Sequence, residues 1–144
     1  MSLETVRDAM VPEPTTLAAD ASAQEAGRCF ADSGEVRAIF VTEEGGRLLG
    51  VVTRKTLVRE VVAPGLDPRS VILREIAEPP NFTLDAALEL EAAFHFLEEQ
   101  DLERVPVVEE GGRLVGVLSR AVVQRRLAED EPPEGDPGED ALVL

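Results

Sequence analysis

Tryptophan and tyrosine are missing from this 144-residue chain, and five phenylalanines are its whole aromatic content. A buried core must therefore be aliphatic, and 44% apolar residues are enough to build one. A single cysteine excludes an internal disulfide framework and any multi-cysteine zinc site. The single histidine, His95, leaves no partner for histidine-based metal or triad chemistry, so no catalytic residue and no metal ligand is assigned. Basic residues are scarce as well: 14 against 29 acids, for a net charge of -15. That balance argues against nucleic acid, whose binding requires Lys and Arg to displace counterions, and against an anionic membrane surface. No apolar run approaches the roughly 18 residues of a membrane span, and no charged-then-apolar leader opens the chain. A cytoplasmic protein is the expectation.

What is present is a repeat. Residues 43–51 read EEGGRLLGV and residues 109–117 read EEGGRLVGV, with eight of nine positions identical at an offset of 66. The same offset pairs Pro14 with Pro80, Glu25 with Glu91, Phe30 with Phe96 and Arg54 with Arg120. Two copies of one unit follow, at 5–62 and 71–128, joined by the Pro- and Gly-bearing linker 63–70. The remainder, 129–144, opens with EDEPPEGDPGED, in which seven of twelve residues are acidic and none is basic. Three prolines and two glycines in that run oppose regular structure, so an acidic, disordered tail is expected. It serves either as an arm for a basic partner or as a solubilising extension.

Each copy reads β-α-β-β-α. A brief extended stretch (Thr15–Leu17; Phe82–Leu84) precedes a helix. Ser22 is placed to cap the first of these helices, with Ala26 and Phe30 on its inner face. In the second, Leu84, Leu88, Ala92 and Phe96 recur every four residues, with Ala93 and Leu97 beside them, a helical stripe. Two strands then flank a tight turn, Val36–Thr42 with Leu48–Val52 and Leu102–Val108 with Leu114–Leu118. The Gly-Gly pairs 45/46 and 111/112 supply the positive φ such turns need. A last helix starts at Thr53 or Ser119 and ends near Val62 or Ala128. A unit of about 55 residues buries too little surface to stand comfortably alone. The fold class is therefore α+β, two repeats packed about an approximate two-fold axis with ligand-sized clefts between them.

The candidate chemistry lies where the second hairpin strand enters its helix: Gly50-Val51-Val52-Thr53-Arg54 and Gly116-Val117-Leu118-Ser119-Arg120. A hydroxyl at a helix start caps free N–H groups, and the same groups favour anions. Two readings stand for Thr53 and Ser119, plain caps or phosphate contacts. Two stand for Arg54 and Arg120: an Arg in the first turn opposes the helix dipole, which a nearby anion offsets, or the side chain pairs with one of many carboxylates.

This duplicated set, with Arg104-Val105-Pro106-Val107-Val108 before the second hairpin and Val6-Arg7-Asp8-Ala9-Met10 at the start, resembles a tandem pair of cystathionine β-synthase (CBS) domains, the Bateman module. The resemblance covers residues 5–128. It implies a regulatory module that binds AMP, ADP, ATP, S-adenosylmethionine or a related ligand between the repeats. It also implies a homodimer that signals to a separate effector protein in trans. Carried over residue by residue, Thr53 and Ser119 fall on the phosphate-facing position. The family's ribose-binding Asp is replaced by Thr56 and Val122, a departure that weakens ribose recognition in the first copy and removes it in the second. Base-contacting positions correspond to Thr16, Arg37 and Ala38 in the first copy, and to Phe82, Thr83, Arg104, Val105 and Pro106 in the second. Phe82 stacks on a base or packs in the core; Arg37 and Arg104 pair a phosphate or a surface carboxylate. The missing ribose carboxylates leave a second function open, a degenerate pair that dimerises as an interaction scaffold without nucleotide. No constellation supports an enzyme.

Overall fold

A computed structural model describes residues 4–12 and 14–130. The first lead-in segment holds a short helix, α1 (Val6–Ala9), and a two-residue strand, β1 (Val11–Pro12). The first repeat proper continues with β2 (Thr16–Ala18), α2 (Ala23–Asp32), β3 (Ile39–Thr42), β4 (Leu48–Val52) and α3 (Arg54–Leu57), which passes into a π-helical turn at Val58–Val62. The second lead-in carries α4 (Leu73–Ile76). The second repeat then runs β5 (Leu84–Asp85), α5 (Leu90–Glu99), β6 (Arg104–Glu109), β7 (Arg113–Ser119) and α6 (Arg120–Asp130). The mixed helix and strand content is α+β, as expected. Between the copies, the Asp67 carboxyl is held below its ordinary range by hydrogen bonds from the Arg69 guanidinium and backbone N–H.

Both hairpins form where the Gly-Gly pairs allow them. Gly45, Gly46, Gly111 and Gly112 all take positive φ, between 74° and 87°, which side-chain-bearing residues rarely adopt. The strands alternate as their period of two requires. Ile39, Val41 and Val52 are fully buried in the first copy; Val105, Val107 and Leu118 are their buried counterparts in the second. A register irregularity recurs at Val41/Thr42 and Val107/Val108. The duplication therefore extends to a backbone defect. In each copy the strand before the helix joins its hairpin in parallel, β2 on β3 and β5 on β6.

The lead-ins exchange places. Val6 and Ala9 of α1 are buried in the second repeat's core, together with Leu90, Leu97, Val105 and Leu118. Leu73 and Ile76 of α4 are buried in the first repeat's core, with Ala26, Ile39 and Val52. Backbone hydrogen bonds seat each one: Val6 N–H donates to Leu88 O at 2.9 Å and Arg7 N–H to Ala86 O at 3.0 Å, while Leu73 N–H donates to Ala21 O and Arg74 N–H to Ala19 O, both at 2.9 Å. β1 pairs antiparallel with β7, giving a four-stranded sheet of order β1-β7-β6-β5 beside the three-stranded β2-β3-β4. On the other side Val51 and Glu78 exchange two backbone hydrogen bonds, at 2.8 and 3.0 Å. The packed units thus differ from the sequence copies by one lead-in each.

Three boundaries depart from the sequence expectation. The i, i+4 stripe put Leu84, Leu88, Ala92 and Phe96 on one helix face. Instead α5 begins at Leu90 and buries Leu90, Ala93 and Leu97, leaving Ala92 exposed. Residues 84–88 cannot be helical because β6 and α1 take their backbone groups. The strand expected from Val36 starts at Ile39, since Val36 N–H turns back to Ser33 O and its carbonyl accepts from Arg54. At the far end, α6 includes Glu129 and Asp130; the first proline, Pro132, restricts only the residue before it. The rest of the expected tail, 131–144, lies outside the described residues.

The crossing needs glycine. A Cβ on Gly50 would lie 2.9 Å from Ala77 Cβ and 2.9 Å from Glu78 O. On Gly116 it would lie 2.6 Å from Met10 Sδ and 2.8 Å from Val11 O. Gly50→Ala is expected to destabilise the fold by about 1–3 kcal/mol through overpacking against backbone. In a thermal melt this reads as a fall of roughly 3–6 °C per kcal/mol. An unchanged melting temperature would mean that the lead-in does not cross there.

Candidate functional site

The two exchanged lead-ins and the two hairpins line a half-open cavity of about 610 Å³. Its wall is close to duplicated: Pro14 and Pro80, Val36 and Leu102, Ala38 and Arg104, Phe40 and Pro106, and Val51 and Val117 all line it, each pair separated by the repeat offset. The cavity therefore sits where the copies meet, and most of its surface is apolar side chain with a few polar groups, the usual make-up of a small-molecule site.

Of the residues singled out from sequence, seven line this cavity: Arg37, Ala38, Phe82, Arg104, Val105, Pro106 and Ser119. Thr16 lines a separate depression of about 440 Å³ beside Pro12 and Arg113. Thr53, Arg54, Thr56, Thr83 and Arg120 line neither. Sequence reasoning overlooked Ser33, Glu35 and Asn81, which add the cavity's remaining polar groups together with Thr15. It also left out Val51 and Val117, although their identity at the repeat offset was the signal that could have marked them.

The two hydroxyls at the helix starts have different surroundings. Thr53 Oγ and Thr56 Oγ are 3.0 Å apart; Thr56 Oγ accepts from Thr53 N–H at 3.0 Å, and Thr53 Oγ accepts from Thr56 N–H at 3.2 Å. Both side chains close a reciprocal cap on α3, and Thr56 is only 1% exposed. Of the two readings offered for Thr53, the geometry displays the cap, and Thr56, at the position of the family's ribose-binding Asp, is buried beside it. Ser119 has one weak contact, accepting from Val122 N–H at 3.5 Å, and it faces the cavity.

The first-turn arginines are likewise accounted for without an anion. Arg54 donates to Val36 O at 2.8 Å, Phe30 O at 3.1 Å and Ser33 O at 3.4 Å, and its guanidinium lies 4.8 Å from the Phe30 ring centroid. It thus satisfies carbonyls at and beyond the end of α2, where a cation is favourable. Arg120 pairs with Glu103 at 2.8 Å and Asp101 at 3.4 Å. The cavity's own arginines are different. Neither Arg37 nor Arg104 forms a side-chain hydrogen bond or ion pair with any of the described residues. Phe82 is fixed by Phe96, edge to face at 5.2 Å and 79°, so it packs against the second core and walls the cavity at once. Among the described residues there is no group of three or more His, Cys, Asp or Glu that could hold a metal ion. Nor is any helix among them long and apolar enough to cross a membrane.

A family model described as "CBS domain" matches the chain twice, at residues 6–63 and 73–129. Hypoxic response protein 1 of Mycobacterium tuberculosis is 32% identical over 95 residues, 66% of each chain. An uncharacterized protein of Methanopyrus kandleri is 27% identical over 84 residues, 58% of this chain and 43% of that one. The matches therefore span 43% and 66% of these relatives' own lengths. Among solved structures, a hypoxic response protein with two coordinated zinc ions superposes at a TM-score of 0.71, with 28% identity over 88% of this chain and 99% of that one. The cytosolic domain of the Mg2+ channel MgtE in complex with ATP gives 0.68, with 25% identity over 85% of this chain and 48% of that one.

Removing the Arg54 guanidinium is expected to loosen the end of α2. Arg54→Gln should lower stability by about 1–3 kcal/mol, from lost charge-assisted hydrogen bonds and the stacked Phe30. Chemical denaturation measures it. A variant as stable as the parent would show that the carbonyls find water equally well.

Proposed function

The chain belongs to the CBS-domain family as a tandem pair, and from that premise we propose that it is a regulatory module which binds an adenine nucleotide in the cavity between its repeats. In this reading 5–62 and 71–128 are the CBS repeats, 63–70 joins them, and 129–144 is an acidic extension. The observation that carries the proposal is the cavity itself. It combines apolar walls and an aromatic ring with the Ser119 hydroxyl, whose one contact is long, and two arginines that have no carboxylate partner among the described residues. An unpaired guanidinium beside an apolar surface is suited to a phosphate on a flat heterocycle. The similar channel domain in complex with ATP supports the same ligand class. Zinc, which accompanies the hypoxic response protein structure, is not carried over, because the described residues offer no ligand cluster for it.

Because both lead-ins line the cavity, a ligand there bears on the segments that tie the copies together, and this is how occupancy reaches a separate effector protein in a cytoplasmic setting. The module acts by binding rather than catalysis. It does so as a homodimer, a reading supported by the exposed aliphatic face of Val58, Val62 and Leu66, each at least 50% exposed.

A thermal-shift panel of AMP, ADP, ATP and S-adenosylmethionine tests the proposal. A ligand at one hundred times its dissociation constant should add about 2.7 kcal/mol of stability, several degrees for a domain of this size. Silence across the panel from a protein with a clean melting transition would remove the nucleotide reading and leave the scaffold. Light scattering at micromolar concentration tests the dimer, and a monomer there would refute it.

A further inference from the structure

We propose that the acidic stretch of this chain, residues 131–140, docks across the mouth of the cavity and sets its carboxylates against Arg37 and Arg104. The stretch lies outside the described residues, and the inference does not depend on which small molecule the cavity takes. The receiving surface carries three charged side chains, Glu35, Arg37 and Arg104. All three are exposed, and none forms a side-chain hydrogen bond or ion pair with any other described residue. One positive charge is thus left in excess, on a chain whose net charge is -15. Arg28, Lys55 and Arg125 also lack a partner among the described residues. They stand on three different helices, α2, α3 and α6, and line no cavity. The repeat explains why Arg37 is open. In the second copy Arg120 pairs with Asp101 and Glu103. The residue equivalent to Glu103 is Arg37, and like charges do not pair. Arg54 therefore turns to carbonyls at the end of α2, and Arg37 is left for another acid.

The acidic stretch is tethered at a matching distance. Ser119 lines the cavity, and α6 starts at the next residue. That helix has 11 residues, about 16 Å at 1.5 Å per residue. Residues 131–140 therefore begin about 16 Å from the cavity wall. As a flexible chain, ten residues span about 16–19 Å root mean square and at most about 36 Å. Glu131, Glu134, Asp136, Glu139 and Asp140 reach the wall without drawing the chain taut. A tether whose length matches the gap gives the highest effective concentration. Glu35 opposes part of the attraction, so the contact is weak, reversible and screened by salt. While it holds, both guanidinia are covered. An anionic ligand must then displace the chain's own carboxylates, and the acidic stretch acts as a built-in competitor for the cavity.

The rate at which phenylglyoxal modifies each arginine of the full chain, read by mass spectrometry, tests the contact. The comparison is a full chain carrying Glu131→Gln, Glu134→Gln, Asp136→Asn, Glu139→Gln and Asp140→Asn, changes that leave every described residue in place. At low salt Arg37 and Arg104 of the wild-type chain should react at least about twofold more slowly than in the neutralised chain, the scale of one or two exposed ion pairs. Arg28 should react equally in both. The difference should vanish near 1 M salt, where the screening length falls to about 3 Å, and it should survive dilution, as a contact within one chain must. Equal rates at Arg37 and Arg104 in the two chains would overturn the inference and leave the stretch an arm for a basic partner or a solubilising extension. Protection lost on dilution would overturn it in favour of a contact between chains. Isothermal titration with ATP checks the competition: the neutralised chain should bind about two- to tenfold more tightly, and equal affinities would overturn it. Failure of both chains to bind ATP would overturn the nucleotide reading alone, and the modification rates still decide the inference.

Discussion

The close backbone crossing at Gly50 and Gly116 is the constraint on which the other features depend. Each lead-in leaves its own copy and passes over the hairpin of the other, at a distance that admits hydrogen but no side chain. That approach lets β1 pair with β7 and Glu78 with Val51. It also delivers α1 and α4 to cores that would otherwise be open on one side. A copy of this size is marginal alone. Exchanging an apolar helix with its neighbour makes each core depend on the other and turns two small units into one. Ion pairs follow the same route, Arg7 to Glu109 and Arg74 to Glu43, but they lie at the surface, where such pairs contribute little.

The crossing also makes the cavity. Two lead-ins and two hairpins meet there at a junction of pleated surfaces and leave a gap between them. The result is a half-open, largely apolar cleft edged by the ends of strands, with Pro14, Thr15, Pro80 and Phe82 contributed by the lead-ins themselves. The duplication supplies a near-symmetric wall, and divergence at a few positions decides what each side does. Ala38 against Arg104 is one such position; Thr56 against Val122 is another. Where the first copy has a threonine able to close a cap, the hydroxyl of Thr53 is consumed. Where the second has valine, the hydroxyl of Ser119 is left for the cavity.

Much of the architecture was readable beforehand because its causes are local. Turn glycines, the Ser22 cap and the alternation of Ile39, Val41, Val105 and Val107 are properties of a few adjacent residues, and the structure shows each of them. The reading slipped where a distant partner took the backbone. The stripe beginning at Leu84 has helical spacing, yet Leu84 lies in a strand and Leu88 in the seat of α1, and only Ala92 and Phe96 are helical. The candidate site divided in the same way. Arg37, Phe82, Arg104 and Ser119 fall on the cavity, whereas Arg54 is engaged by carbonyls that only folding brings near, and Thr53 and Thr56, three residues apart, are engaged by each other.

The sequence alone determined the repeat, the aliphatic core, the hairpins and the absence of metal or nucleophile clusters built on Cys and His, since composition and short-range periodicity are enough for these. The tertiary structure decided which copy receives each lead-in and which partners the first-turn arginines find. Those outcomes depend on contacts such as α1 with α5 and Arg54 with the end of α2, between residues far apart in the chain. A local pattern records that a group is able to bind, while its availability is settled by whatever else packs within hydrogen-bond reach.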